Sequence, residues 1–113
     1  MKIDGTNISM IRGDSESITV SCLNAAGNPI PLVAGDIIYL TVKSSIATEV
    51  KIFQKEIITF TDGKAIIEIL PSDTKTLQFI PLVYDVQLTK ANGVVTTIIP
   101  PSKFVIEGEV TYE

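Results

Sequence analysis

Short runs of β-branched residues, separated by turn signals at regular intervals, constrain this chain more than any other feature of its sequence. Of the 113 residues, 40 are Ile, Val or Thr. Their branched side chains suit a pleated sheet and crowd a helix. Turn-forming residues interrupt the runs at Gly13-Asp14, 24–31, Gly35-Asp36, Asp62-Gly63, 71–73, Asn92-Gly93 and Pro100-Pro101. The pattern predicts an all-β chain.

The spacing of the turns predicts one domain, residues 1–113, folded as an antiparallel β-sandwich of about seven or eight short strands. One short helical turn is expected near 71–77, opened by Pro71 or Ser72, with Leu77 closing the end of the sandwich. The strands are expected near 6–12, 16–23, 36–43, 50–60, 64–70, 82–90, 94–99 and 103–111.

Two dipeptides predict tight hairpins. Asn92-Gly93 and Asp62-Gly63 each lie between β-branched runs. Both central positions of a type I′ turn have positive φ, which Asn, Asp and Gly tolerate better than other residues. We therefore expect a two-residue turn at each place.

Alternation of apolar and polar residues predicts which side chains form the core. On a strand, alternate side chains point to the same face of the sheet. The apolar positions expected to face inward are Ile18, Val20, Cys22, Ile38, Leu40, Val42, Tyr84, Val86, Leu88, Phe104, Ile106 and Val110. Tyr84 follows a corner and resembles the tyrosine corner of immunoglobulin-like sandwiches, whose hydroxyl bonds upstream backbone. The alternative is an ordinary core tyrosine, and either role concerns stability.

The composition removes most catalytic chemistry. The chain has no His and a single Cys, Cys22, so it lacks the residues of a Ser-His-Asp triad, a Cys-His pair or a His-ligated metal site. We expect no enzyme activity, catalytic residue, cofactor, metal or small-molecule substrate. Glu107 and Glu109, the one pair of carboxylates on a strand face, are interpreted as solubilising charges.

Charge and hydropathy exclude two classes of partner. Nine Lys and Arg face 13 Asp and Glu, for a net charge of −4, and the cations are scattered. A nucleic-acid surface needs clustered cations, so no such partner is expected. No segment approaches the ~20 apolar residues of a membrane span, and no signal peptide is visible. The expected site of synthesis is the cytoplasm, with no membrane as partner.

Three strands break the alternation and predict an interface. Residues 37–40, 57–60 and 94–99 are apolar or Thr on both faces. A two-layer sandwich has one inner space, so we expect another chain to cover an outer face or an edge. The predicted interface residues are Val95, Ile98, Ile99, Ile37 and Tyr39. The simpler alternative is that singly exposed Ile and Val are normal on a monomer.

Arg12-Gly13-Asp14 spells the integrin-binding tripeptide, but its position suggests a different role. Gly13-Asp14 falls where a turn should lead into the strand after it, and Gly35-Asp36 stands at the same place before another strand. Gly and Asp are common turn residues for backbone reasons. We interpret the motif as a structural turn.

The order of these motifs resembles a known family. The segments that carry the resemblance are 12–20, 26–32, 35–43, 69–74, 84–88, 93–97 and 104–111. Together they are similar to the immunoglobulin-like N-terminal domain of phage baseplate upper proteins and related tail components. The resemblance implies an immunoglobulin-like sandwich in a phage or prophage virion, made in the bacterial cytoplasm. Its implied partners are other tail or baseplate proteins or copies of itself, as a homo-oligomer or assembly subunit.

A second hypothesis remains beside the structural one. The same sandwich could be a soluble immunoglobulin-like binding module, either an inhibitor or an adhesion domain. It would use end loops such as Asn24–Pro31 or Ile46–Val50. Substitutions on the strand faces should matter under the first hypothesis and loop substitutions under the second.

Overall fold

The computed structural model describes residues 1–24, 26–77 and 81–110. Within them the chain is all-β and sandwich-like, as predicted, and its one helix is a single turn. In chain order the elements are β1 (Lys2–Asp4), β2 (Asn7–Ile11), β3 (Glu16–Val20), β4 (Cys22–Leu23), β5 (Pro29–Ile30), β6 (Ile37–Lys43), β7 (Lys51–Ile57), β8 (Ala65–Ile69), α1 (Pro71–Thr74), β9 (Pro81–Thr89) and β10 (Val95–Glu107).

The layers of the sandwich are unequal in width. One layer is a six-stranded sheet in the order β1-β2-β10-β9-β6-β7, and the other is the pair β3-β8, with β4-β5 as a separate short hairpin. The described strand pairs are antiparallel except β2 and β10, which run parallel with Phe104 opposite Ile8. The sandwich is antiparallel, as predicted, apart from this one pair. Strands so distant in sequence need no hairpin between them, so nothing forces them to be antiparallel.

Two predicted strands form one. The runs 94–99 and 103–111 join as β10, which passes through Pro100 and Pro101. Its register against β9 shifts between Thr97 and Ile99 and again between Ile99 and Ser102, and such bulges accommodate prolines that cannot donate to the ladder. Residue 111 lies outside the described residues. The sequence pattern predicts neither β1 nor the β4-β5 hairpin.

One core joins both layers. The alternating positions predicted on the strands from Ile18 to Ile106 are buried. Phe104 is fully buried and packs edge-on against Phe53 and Tyr84, with ring centroids 6.0 and 5.9 Å apart. Val110 is fully exposed, so its predicted burial is wrong, because β10 ends at Glu107 and the alternation ends with it.

Tyr84 bonds a partner far from it in sequence. Its ring is buried, and its hydroxyl donates to the backbone carbonyl of Thr6, 78 residues upstream. The predicted bond from the hydroxyl to upstream backbone is therefore present, but its partner is much farther along the chain than the few residues that are typical of a tyrosine corner. The Thr6 and Ser102 hydroxyls share a further hydrogen bond of 2.7 Å. These bonds attach the turn between β1 and β2 to the neighbouring strands.

The two predicted turns differ. Asp62 and Gly63 have φ of +52° and +73°, and Thr61 and Lys64 exchange two backbone hydrogen bonds of 2.9 Å, which confirms a type I′ turn. At the other hairpin only Gly93 has positive φ. Its N–H donates to the Lys90 carbonyl and the Lys90 N–H to the Val94 carbonyl. That loop therefore has three residues and ends in a left-handed glycine.

The helical turn is confirmed at Pro71–Thr74, with Pro71 at its first position. The Leu70 N–H donates to the Asp73 carboxylate at 2.7 Å, which satisfies a backbone group at the helix start. Thr74 is fully buried, and its hydroxyl oxygen accepts a hydrogen bond of 2.9 Å from the Gly13 N–H. Leu77 packs against the core, as expected.

Gly63 provides a test of the turn geometry. A Cβ at Gly63 would lie 2.8 Å from the Pro31 Cβ, whereas one at Gly93 would have no atom within 4 Å. Both residues have positive φ, which costs a side chain about 1–2 kcal/mol. Gly63→Ala should lose about 1–3 kcal/mol more than Gly93→Ala because the added methyl is overpacked. Urea denaturation measures both losses; equal losses would contradict the close approach of Pro31.

Candidate functional site

The outer face of the six-stranded sheet presents side chains between the buried positions. Ile38, Leu40 and Val42 of β6 are fully buried, so the residues between them face away from the core. Ile37 pairs with Thr89, and Thr89 pairs with Val95. In the next row Tyr39 pairs with Gln87, and Gln87 pairs with Thr97.

These six residues form a contiguous patch without a charged side chain. We call it the outer-face patch, and it comprises Ile37, Tyr39, Gln87, Thr89, Val95 and Thr97. Val95 is 55% exposed, and Ile37 and Tyr39 are half-buried. The patch lies on three adjacent hydrogen-bonded strands, β6, β9 and β10, each of which also contributes side chains to the core.

A shallow groove borders the patch. It has a volume of about 260 Å³, and its lining includes Thr41, Lys43, Gln54, Asp85 and Pro101. Gln54 Nε2 donates to Thr41 Oγ1 at 2.9 Å. Partial burial raises the pKa of the Asp85 carboxyl, and nearby Lys43 opposes that rise. The groove offers polar groups for recognition around one carboxylate.

A row of lysines forms the far border of the groove. Lys43 pairs with Lys51 on one side and with Val83 on the other, and Val83 pairs with Lys103. Lys51 Nζ donates to Gln54 Oε1 at 3.2 Å. On a chain of net charge −4, this row concentrates three of the nine cations, and the paired Thr41 and Asp85 lie between it and the outer-face patch.

The predicted interface residues divide into two groups. Val95, Ile37 and Tyr39 lie together on the outer-face patch. Ile98 and Ile99 are half-buried and pack against the core instead. The register shifts around Ile99 interrupt the alternation of β10, so a simple period-two pattern does not assign these two residues to one face, and their place in an interface stays a prediction.

The two end loops predicted for a binding module lie at opposite ends of the sandwich. The segment 24–31, of which Ala25 lies outside the described residues, precedes Leu32, whose N–H donates to the Gly63 carbonyl at 2.9 Å. That end also holds the β9-β10 loop, since Thr89 pairs with both Ile37 and Val95. Residues 46–50 follow Lys43 at the other end of β6. These two loops cannot form one site.

Arg12 of the Arg-Gly-Asp motif is held within the fold. Its Nε and Nη2 donate to the Glu109 carboxylate, with the shortest distance 2.8 Å, and its Nη1 donates to the Leu77 carbonyl at 3.1 Å. The Asp14 N–H donates to the Ile11 carbonyl, and Gly13 has φ of +84°. The motif forms a turn, as interpreted. Glu109 is an ion-pair partner rather than a free solubilising charge, and nothing in the local pattern indicated this pairing across 97 residues.

Among the described ranges, the structure has no group of three or more His, Cys, Asp or Glu placed to hold a metal ion. In the same part of the chain, no helix has the length and apolar character needed to cross a membrane. Comparisons with protein families, with curated proteins and with solved structures found no match.

The Arg12–Glu109 pair should make stability depend on pH. Hydrogen bonds from Arg12 lower the pKa of the Glu109 carboxyl. The contribution of the ion pair to the free energy of unfolding should therefore be complete above the ordinary Glu pKa of about 4.3. It should disappear as the pH falls through the lowered pKa of Glu109 in the native state. Glu109→Gln should lower the free energy of unfolding at pH 7, and the difference from wild type should shrink towards pH 2.

The matched control is Glu107→Gln, since Glu107 is exposed. Urea denaturation from pH 7 to pH 2 should give this variant the pH profile of the wild-type protein. Identical profiles for the two variants would show that Arg12 does not hold Glu109 in its ionised form.

Proposed function

We propose that this protein is a non-enzymatic structural component of a phage or prophage tail or baseplate, located in the virion, and that it acts by protein–protein assembly. The observation that carries the proposal is the outer-face patch, a group of six uncharged side chains on three paired strands, with Val95 exposed. Interfaces have cores depleted of charge and enriched in aromatic residues, with polar rims. The part of the proposal that names a phage tail or baseplate rests on the resemblance to baseplate domains.

The size of the patch indicates what kind of contact it can make. Side chains on one sheet face are spaced about 4.8 Å across strands and about 6.8 Å along them, so six positions cover roughly 200 Å². A stable interface buries about 800 Å² on each partner. The patch can therefore form the centre of a contact whose rim includes the groove and the lysine row. A subunit with several such modest contacts is held firmly only inside an assembly, where the contacts reinforce one another.

A second candidate function is binding by the loop end of an immunoglobulin-like module. Leu23, Ile30, Val33 and Val94 are exposed, and they lie at the end where segment 24–31 and the β9-β10 loop meet. Apolar side chains grouped on loops can anchor a partner. Under this function Val33→Lys would abolish binding and Val95→Lys would leave it intact.

The assembly proposal predicts that a charge on the patch prevents self-association. We expect the wild-type protein to show a concentration-dependent rise in mass by light scattering at several hundred micromolar. Val95→Lys should weaken this association at least tenfold, because a buried lysine without a partner would be desolvated. Val50→Lys is the matched control, since Val50 is 71% exposed and lies outside the patch. A wild-type monomer throughout, or equal loss in both variants, would contradict association through the patch.

Particle composition tests the phage context separately. Mass spectrometry of purified phage particles from the encoding strain should find the protein in the tail fraction, and tail genes should flank its own gene. Its absence from particles would contradict the virion location while leaving the light-scattering result to decide the self-association.

A further inference from the structure

The narrow layer of the sandwich has an open edge at β3. In the described part of the chain, β3 pairs with β8 and with no strand on its other side. In immunoglobulin sandwiches the corresponding strand lies between two neighbours. Here the chain doubles back at Gly5, where φ is +62°, so that β1 pairs with β2 in the other layer. Among the described strands, none therefore pairs with the outer edge of β3.

Other outer edges carry protecting features that β3 lacks. Lys51, Lys55 and Glu56 lie on β7, and β1 has three residues. After β8, the helical turn α1 is joined to β7 by the ion pair between Lys55 Nζ and the Asp73 carboxylate, 2.6 Å apart, and Ile57 of β7 packs on the core. After Glu16, β3 reads Ser-Ile-Thr-Val with no Lys, Arg or Pro. Natural sheets use such residues to block pairing at an edge.

A second groove continues this open edge. It has a volume of about 420 Å³ and lies between the segment Ser21–Leu23 and the strands β9 and β10. Cys22 and Leu88 are buried at its base, and Ile98 is half-buried beside them. Leu23 and Ile30 line it and are exposed. A strand hydrogen-bonded to β3 would place alternate side chains towards these apolar groups.

The shape of the site favours a single extended strand as the occupant over a second copy of this protein. The six-stranded sheet extends past β10 by β2 and β1, and the Met1 amino nitrogen lies 2.8 Å from Glu16 Oε2 at the start of β3. If two copies paired through β3, their strands would be only about 4.8 Å apart, which would bring the β1-β2 hairpins of the two copies towards each other. A lone extended segment needs only the width of one strand.

We propose that β3 and the adjoining groove accept an extended polypeptide segment, donated by a partner, with uncharged apolar residues at alternate positions. Main-chain hydrogen bonds to β3 supply affinity, and the groove selects the alternate apolar side chains. This site follows the edge of the narrow layer, and its groove reaches Thr96, Thr97 and Ile98 of β10, of which Thr97 also belongs to the outer-face patch.

The test uses a nine-residue uncharged peptide of alternating Thr and Val, with fluorescein on a Gly-Ser tail. The fluorescence anisotropy of the peptide is measured as increasing amounts of the protein are added. We expect saturable binding. The same peptide N-methylated at alternate residues, on the edge that faces β3, should bind at least tenfold more weakly. The proposal would be overturned if binding does not reach saturation at 1 mM protein, or if the methylated and unmethylated peptides bind with equal affinity.

Two lysine variants locate the binding edge. Thr19→Lys places a charge on β3 at an exposed position and should weaken binding at least fivefold. Ile66→Lys is the control, because Ile66 pairs directly with Thr19 and is 40% exposed but lies on β8; its affinity should stay within twofold of wild type. Equal weakening in both variants would overturn the proposal. Val95→Lys should bind the peptide with the affinity of the wild-type protein, although it should weaken self-association. Failure of the peptide proposal can therefore be distinguished from failure of the assembly proposal.

Circular dichroism confirms that each variant is folded before binding is measured. If Thr19→Lys fails to fold, Leu23→Gln replaces it, since Leu23 is 60% exposed on the groove. Leu23→Gln should weaken peptide binding at least threefold, and unchanged affinity would overturn the role of the groove.

Discussion

The structure depends on the packing of the six-stranded sheet against a layer of only two strands. Ile18 and Val20 of β3, with Ile67 and Ile69 of β8, form one core cluster with the inner side chains of the wider sheet. Phe104 lies within this cluster and contacts rings from β7 and β9. Removing apolar surface from water is the main favourable term for a small domain, so the two layers depend on each other for stability.

The difference in width has consequences at the surface. The wide layer presents an outer face with an uncharged patch, and the narrow layer ends at β3 without a neighbouring strand in the described part of the chain. Long-range polar contacts hold the rest of the wide layer in place. The Tyr84 hydroxyl bonds Thr6, and Arg12 joins Glu109 and the Leu77 carbonyl. The proposed functions use the two surfaces that these interactions leave available, and neither requires bond-making chemistry.

Local features of the fold could be predicted from the sequence because they depend on neighbouring residues. Alternation identified the buried positions of β3, β6 and β9, and Asp62-Gly63 identified its turn. The parallel pairing of β2 with β10 and the Arg12–Glu109 pair join residues nearly 100 positions apart, and no local pattern encodes such partners. A bulge changes which face a side chain occupies, so the alternation of β10 does not assign Ile98 and Ile99 to the face that carries Val95.

Amide hydrogen exchange in the isolated protein at low concentration tests the unequal sandwich most directly. Strand β9 is paired on both sides and β3 on one, and in an antiparallel edge strand alternate N–H groups have no partner. Alternate amides of residues 16–20 should therefore exchange at least a hundredfold faster than the amides of residues 83–88. Protection of all five β3 amides at the level of β9 would show that the edge is already covered and would contradict this account.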